Sequence, residues 1–274
     1  MPLLPPRWRL TLIVLAALCV PIASGVVWLF LTGTFDRVHG LIPVRSPSLD
    51  NWRFLWQSVG GRPPVHVAIV NSLVFAVLVA SLEVVIASMA AYAISRMSFP
   101  GRRLYLGFVL VLHAFPAVSL IIAIFYILRL LGLFDTLTGV ILVKAALELP
   151  LGIWLMKGFF DTLSWEMEMA ALVDGMSRWR LFWKVAMPLV RPGLLALGTF
   201  ALLSAWGEFI LPYTLIVSSQ RTLMSSYLQT FLTEGYSDFG MVAAVGVVYA
   251  LPVVAIFLVG QRYLLNIYGG GVKG

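Results

Sequence analysis

Residues 157–191 read KGFFDTLSWEMEMAALVDGMSRWRLFWKVAMPLVR, and they decide how the rest of the chain is read. This stretch holds nine charged residues (Lys157, Asp161, Glu166, Glu168, Asp174, Arg178, Arg180, Lys184 and Arg191) in a chain that is otherwise apolar. Met169, Val173 and Met176 recur every three to four residues, as do Trp179, Phe182 and Val185. That is the spacing of one helix face. Gly175 separates the two patterns where a sharp turn needs a residue without a side chain. Pro188 and Pro192 close the second pattern. Two short amphipathic helices are therefore expected. Residue physics leaves two readings open: helices lying in lipid headgroups, or an apolar face that docks in a partner's groove.

On both sides of this stretch the sequence becomes apolar. Of 274 residues 61% are hydrophobic and 11% charged, against the roughly 25% charged residues of a soluble domain. There is too little polar surface to coat a soluble globule. A span needs roughly 20 apolar residues, and six segments qualify: 10–31, 67–95, 104–128, 137–156, 193–217 and 240–261. Arg7 and Arg9 precede the first as in a signal peptide. Its apolar run exceeds a signal's core and no clear cleavage site follows, so it reads as a retained helix. Pro21, Pro116, Pro150, Pro212 and Pro252 fall inside spans. Each can kink its helix to shape a cavity, or simply reflect the frequency of proline in membrane helices.

The net charge of +7 is distributed as topology requires. With the N-terminus inside, twelve Lys and Arg lie in cytoplasmic segments, and six lie outside: Arg37, Arg45, Arg53, Arg62, Arg129 and Arg221. The positive-inside rule then puts both termini in the cytoplasm. A nucleic-acid role is not favoured, because the basic residues cluster at the ends of apolar runs. The single cysteine, Cys19, lies within a span and permits no internal disulfide.

The run EMAALVDGMSRWRLFWKVAMPLVRP resembles the cytoplasmic signature of binding-protein-dependent importer permeases: EAA, three residues, G, nine residues, I-x-LP. Ala170, Ala171, Gly175 and Pro188 match. Val185 and Met187 stand conservatively for the isoleucine and leucine. Met169 occupies the glutamate position, while Glu168 sits about 100° further round the helix. The stretches SLDNWRFLW (48–56), VNSLVFA (70–76), AAYAISRMSFPGRR (90–103), LGLFDTLTGVIL (131–142), AWGEFILPYTL (205–215) and the terminal GGGVKG are similar, in order, to the carbohydrate branch of that family, the maltose-type second permease.

The resemblance implies an all-α polytopic membrane protein with the transmembrane fold of a type I ABC importer. Residues 1–65 would be a first helix and outer loop, 66–265 the core with its coupling segment 157–191, and 266–274 a cytoplasmic tail. The expected role is a permease subunit of an ATP-driven sugar importer in a bacterial or archaeal plasma membrane. Its expected partners are a homologous first permease, two ATPase subunits and an external solute-binding protein. ATP and Mg would reside in the ATPases and no cofactor in this chain. Glu168, Met169, Ala170, Ala171, Asp174, Gly175 and Arg178 would form the ATPase-coupling helix. Ser218, Gln220, Arg221 and Tyr236 would face the binding protein.

Other chemistry finds little support in the residues. The sequence has no G-x-x-x-x-G-K-[ST] phosphate loop. GGGVKG fits G-x-G-x-x-G but lies at the terminus without the strand and helix of a dinucleotide site. His39, His66 and His113 are scattered, with no zinc-ligand spacing. Within spans lie Glu83, His113, Lys144, Glu148, Trp206 and Glu208, candidates for a translocation pathway. A charge at that depth costs about 2.5–3.5 kcal/mol, so it should face protein or a wet cavity. Lys144 and Glu148 share one helix face and can simply neutralise each other. Glu208, between aromatic residues, suits either sugar hydroxyls or an interhelical hydrogen bond. A self-sufficient secondary transporter is the competing function, although no inverted repeat is evident. A membrane-embedded enzyme would need a catalytic cluster, and none emerges.

Overall fold

A computed structural model describes residues 6–35, 38–39, 42–43, 46–59, 61–233 and 239–269. It divides into two compact units, Met1–Val65 with Tyr227–Leu251, and His66–Ser226 with Pro252–Gly274.

In the first unit the long helix α1 (Pro6–Thr34) runs into a hairpin of β1 (Val38–His39) and β2 (Ile42–Pro43) and then a 3₁₀ turn, Asp50–Leu55. The last turns of α11 (Met224–Thr233) and the first part of α12 (Phe239–Gly269) complete it. Close helix packing explains Gly33, where a Cβ would lie 3.0 Å from the backbone of Ala244. Helices associate in lipid through such small residues, because burial of apolar surface gives no drive there. Arg62 is buried, with Nε donating to Thr230 Oγ1 at 2.8 Å and its guanidinium 4.2 Å from the Phe231 ring centre.

The second unit is built on α2 (Val65–Arg96) and α5 (Leu137–Asp161). Between them lie α3 (Arg102–His113) and α4 (Ala117–Leu130). After them come α6 (Trp165–Val173), α7 (Arg178–Leu181), a π-helical turn (Phe182–Ala186), α8 (Met187–Leu189), α9 (Arg191–Trp206) and α10 (Ile210–Leu215). Among the described residues four helices are long and apolar enough to cross a membrane, α1, α2, α5 and α12, and six spans result if each of two bent pairs, α3 with α4 and Arg178–Leu189 with α9, counts as one.

The first of those bends, and a separate break after α9, correct two expectations. The third span is not one kinked helix, because α3 and α4 meet at 97°. Pro116 disfavours helical geometry at the preceding residue and sits extended, at φ −66° and ψ 132°, as the N-cap of α4. The fifth span stops at Trp206 and resumes at Ile210. Pro212 belongs to this break: it sits in the first turn of α10, where its missing N–H has no intrahelical partner to lose, and its ring would strike the Glu208 carbonyl in a continuous helix. Pro21, Pro150 and Pro252 do lie inside continuous helices. At the membrane face, the π turn comes just before Pro188, whose ring would strike the Lys184 carbonyl in a regular α-turn.

Two apolar clusters hold this unit together. One joins Ala87, Ala91, Tyr92, Met156, Phe160 and Phe182 with their neighbours. The other joins Phe75, Val79, Ile141, Ala145, Leu211 and Leu215 with theirs. Along α2 and α5, the residues between the two clusters include Glu83 and Glu148. A polar layer is thus sandwiched between two greasy ones.

Candidate functional site

The elbow of residues 164–191 follows from its sequence turn by turn. Ser164 caps α6, its Oγ accepting from Met167 N at 3.5 Å, and Glu166 and Glu168 occupy the positive first turn. The helix ends in a Schellman motif. Met176 N donates to Ala171 O and Gly175 N to Leu172 O, both at 3.0 Å. Gly175 has φ +82°, and nothing lies within 4 Å of where its Cβ would be. Glycine is needed there for backbone conformation and not for space. Ser177 then caps α7, accepting from Arg180 N at 3.4 Å.

The elbow has two faces. Met169, Ala170, Val173, Asp174 and Arg178 are exposed, Val173 at 82%, while Ala171 and Leu172 pack inward. Glu168, grouped with the coupling helix but about 100° round it from Met169, turns inward. It is buried, its Oε1 2.6 Å from Arg96 Nε and its Oε2 accepting from Tyr92 Oη at 3.2 Å. One residue of helical offset from Met169 accounts for the inward turn. Arg96 also donates through Nη2 to Phe160 O (2.7 Å) and Leu163 O (2.9 Å). One guanidinium thus ties the end of α2 to the end of α5 and to α6. The sequence reading counted Arg96 only as a topological charge; its position at the close of a long apolar helix was the available signal.

In the polar layer, Lys144 Nζ lies 2.7 Å from Glu148 Oε1 and 2.8 Å from Glu208 Oε2. Ser204 Oγ also donates to Glu148 Oε1, at 2.8 Å. Glu208 occupies the break between α9 and α10 and accepts from Leu211 N at 3.2 Å, covering a donor the interrupted helix leaves free. The neutralising pair expected of Lys144 and Glu148 therefore exists, but Glu208 joins it. Glu83 faces the same layer from α2, buried, its Oε2 without a hydrogen-bond partner among the described residues. Its other oxygen crowds Gly152, where a Cβ would come within 2.8 Å. A cavity of about 510 Å³ opens here, lined by Glu83, Glu148, Ser204, Trp154, Phe200 and neighbouring leucines.

Of the expected pathway residues only Glu83 and Glu148 line that cavity; Lys144 meets it through Glu148, and Glu208 through Lys144. Trp206 is buried in the packing and is not among its lining residues. His113, at the exposed end of α3, reaches Glu148 only through space. Trp154 and Phe200 supply the aromatic wall instead, and nothing in their local sequence marked them out.

On the opposite side of α5, Asp135 adopts φ 56° and organises the segment after α10. Its Oδ1 accepts from Val217 N (2.8 Å) and Ser218 N (2.9 Å), and its Oδ2 meets Arg221 at 3.1 Å. The Ser218 N–H above all, with the Val217 N–H and Arg221, holds this carboxyl below its ordinary value against the opposing effect of desolvation. Asn71 Nδ2 donates to Gln220 O (3.0 Å) and Thr222 O (3.2 Å). Ser218, Gln220 and Arg221 thus lie on one pinned segment, with Gln220 and Arg221 exposed. Tyr236 lies outside the described residues.

Comparison with known proteins places this architecture. The chain is 32% identical over 257 residues to the trehalose transport system permease protein SugB of Mycobacterium tuberculosis, covering 91% of this chain and 92% of that one. It is 31% identical over 206 residues to the maltodextrin transport system permease protein MdxG of Bacillus subtilis, covering 74% of each. In fold it is similar to a chain from the crystal structure of a bacterial ABC transporter involved in the import of the acidic polysaccharide alginate, with a TM-score of 0.77 at 23% identity, covering 96% of this chain and 99% of that chain. The family model for binding-protein-dependent transport system inner membrane components matches residues 83–265. A multi-pass helical chain with a glycine-hinged elbow, matched over most of its length, belongs to that family of inner-membrane transport components.

Proposed function

We propose that this chain is one of two transmembrane subunits of an ATP-driven importer for a small oligosaccharide or related glycoside. It lies in the plasma membrane with both termini in the cytoplasm. It works with a homologous permease, an external solute-binding protein and two ATPase subunits that hold ATP and Mg. The trehalose and maltodextrin permeases among its relatives support a carbohydrate passenger.

The observation that carries the coupling role is the elbow's division of labour. Met169, Ala170 and Val173 present an exposed apolar face beyond the spans, suited to a groove on an ATPase. Directly behind it, Glu168 is clamped by Arg96. The outward face receives the push and the clamp hands it to α2 and α5. Asp174 and Arg178 frame the contact with charge. Met169 in place of a glutamate makes this contact apolar where the family signature would make it ionic. Ser218, Gln220 and Arg221, held by Asp135, form the stiff outer segment that meets the binding protein.

Gly175→Asp and Val173→Glu test the reading. Both variants should insert normally, since neither touches a span, yet lose the ATPase on copurification and abolish uptake. Uptake at the normal rate by either variant would sink the docking role.

A further inference from the structure

We propose that the cavity beside Glu83 and Glu148 binds a positively charged group, the ammonium of an amine-bearing glycoside. This narrows the carbohydrate reading above and rests on it.

The first observation is an unmatched carboxyl. Glu83 is 2% exposed, its Oε2 lacks a partner among the described residues, and it lines a cavity of about 510 Å³. The second is a surplus of like charge. Lys144 already serves Glu148 at 2.7 Å and Glu208 at 2.8 Å, so the one ammonium of this layer is shared by two carboxylates and is not paired with Glu83. His113 is exposed and acts on Glu148 only through space. Uncompensated charge at membrane depth is costly, and a cation entering the cavity would remove that cost. Third, the remaining wall suits an organic cation. Trp154 and Phe200, both more than half exposed, offer ring faces that attract cations, and Ser204 adds a hydroxyl.

Size favours a solute over a lone side chain of a partner subunit. Ligand pockets run to roughly 300–1,000 Å³, and this one falls within that range. A neutral sugar could stack on the rings but would leave the surplus charge in place. A uronic acid would add to it. The site therefore orders passengers by charge: cationic before neutral, and neutral before acidic.

The test is a saturation-transfer NMR titration of the full chain in phosphatidylglycerol nanodiscs, whose headgroups carry no amine. At about pH 7.5, where a buried carboxyl is more fully ionised than in acid and an amino sugar is still partly protonated, it compares three probes: the β-1,4-linked glucosamine disaccharide, cellobiose and a glucuronic-acid disaccharide. The expected result is binding of the glucosamine disaccharide at least about tenfold tighter than cellobiose, or ~1.4 kcal/mol, with no saturable binding of the acid. Glu83→Gln, isosteric and uncharged, should bring the amine and neutral probes to within about twofold of each other, which is ~0.4 kcal/mol.

Equal binding of amine and neutral probes by the wild-type chain overturns the proposal, as does no binding of the amine probe or an unchanged preference in Glu83→Gln. Displacement of the amine probe when phosphatidylethanolamine is added would assign the site to a lipid headgroup, and so also overturns it. Each of these outcomes leaves ATPase copurification untouched, so the charge preference and the importer reading fail separately.

Discussion

Replacing Arg96 by methionine should destabilise the folded chain by about 3–5 kcal/mol, the usual consequence of removing one partner of a buried ion pair. Arg96 makes three hydrogen bonds, to Glu168 Oε1 (2.6 Å), Phe160 O (2.7 Å) and Leu163 O (2.9 Å). Its side chain is 10% exposed and that of Glu168 4%, so the solvent screening that holds surface pairs to about 1 kcal/mol or less does not apply. Methionine keeps much of the volume but takes the counter-charge from a carboxylate left with only Tyr92 Oη, and one hydrogen bond from each of two carbonyls, of which Phe160 O keeps Leu163 N. Glu168→Gln should cost less, about 1–3 kcal/mol, because the amide oxygen still accepts from Arg96 while the guanidinium loses its counter-charge. The double variant Arg96→Met/Glu168→Leu removes both charges and should recover much of the loss, since an apolar pair of similar volume often replaces a buried ion pair without penalty. Unfolding free energies from dodecyl sulfate titration in mixed micelles measure all three. Uptake per ATP in the reconstituted importer supplies the functional readout: the single variants should hydrolyse ATP with less transport. The clamp is refuted if Arg96→Met unfolds like the wild type, or if the double variant is worse than the two single variants added together.

Gly175→Ala should cost roughly 1 kcal/mol from left-handed backbone strain alone, and Gly175→Val should cost more; ATPase copurification should fall in that order. Gly152→Val should lower stability by about 1–3 kcal/mol, because its Cβ would press on Glu83 Oε1 at 2.8 Å and the Ala87 Cβ at 3.1 Å; the dodecyl sulfate titration reads the loss. Asp135 has its carboxyl held below the ordinary 3.8, foremost by the Ser218 N–H, so its stabilisation is complete above that value and fades only as pH falls through the lower folded one. Trypsin cleavage after Arg221 should thus be flat from about pH 6 to 8, and Asp135→Asn should accelerate it at neutral pH. Pro150→Ala restores a backbone donor inside α5 and should stiffen it; uptake should slow while dodecyl sulfate stability rises or holds.

The elbow was legible because its signals are local. A serine cap, a three-to-four-residue apolar period and one glycine determine two short helices whatever surrounds them. The inward burial of Glu168 escaped that reading for the same reason. Its neighbour Met169 is exposed, and the sequence does not say which side of a short helix lies against α2. Breaks in the spans were half legible. Pro116 was visible, but proline inside α1, α5 and α12 leaves those helices continuous, so the residue alone does not separate a break from a tolerated proline. The second break lies one turn before Pro212, whose ring bars a regular helical bond to the Glu208 carbonyl; Ser225 Oγ donates to that carbonyl, and the Glu208 carboxylate stabilises the interruption by taking Leu211 N and Lys144 together. That is a tertiary arrangement between residues 64 positions apart, beyond the reach of any local pattern. The cavity wall was illegible likewise, since Trp154 and Phe200 come from different helices and each reads as an ordinary lipid-facing aromatic.

Elbow and polar layer share two helices, and this gives the clamp its purpose. Arg96 and Glu83 are thirteen residues apart on α2, about 20 Å along a helix at 1.5 Å per residue. Phe160, whose carbonyl Arg96 holds, and Glu148 are twelve residues apart on α5, about 18 Å. A displacement at the clamp therefore reaches both carboxylates through lengths of helix that are nearly equal. The two rods differ in stiffness. No proline lies within α2, whereas α5 contains Pro150, just to the elbow side of Glu148. Force applied at the elbow can bend α5 below Glu148 while α2 moves as one piece, so Glu148 and Glu83 would shift relative to each other. A cavity whose two acidic walls move apart or together under a push from the cytoplasm is a means of loosening and restoring its hold on a solute. A bundle clamped at one end with uniformly stiff helices would only tilt.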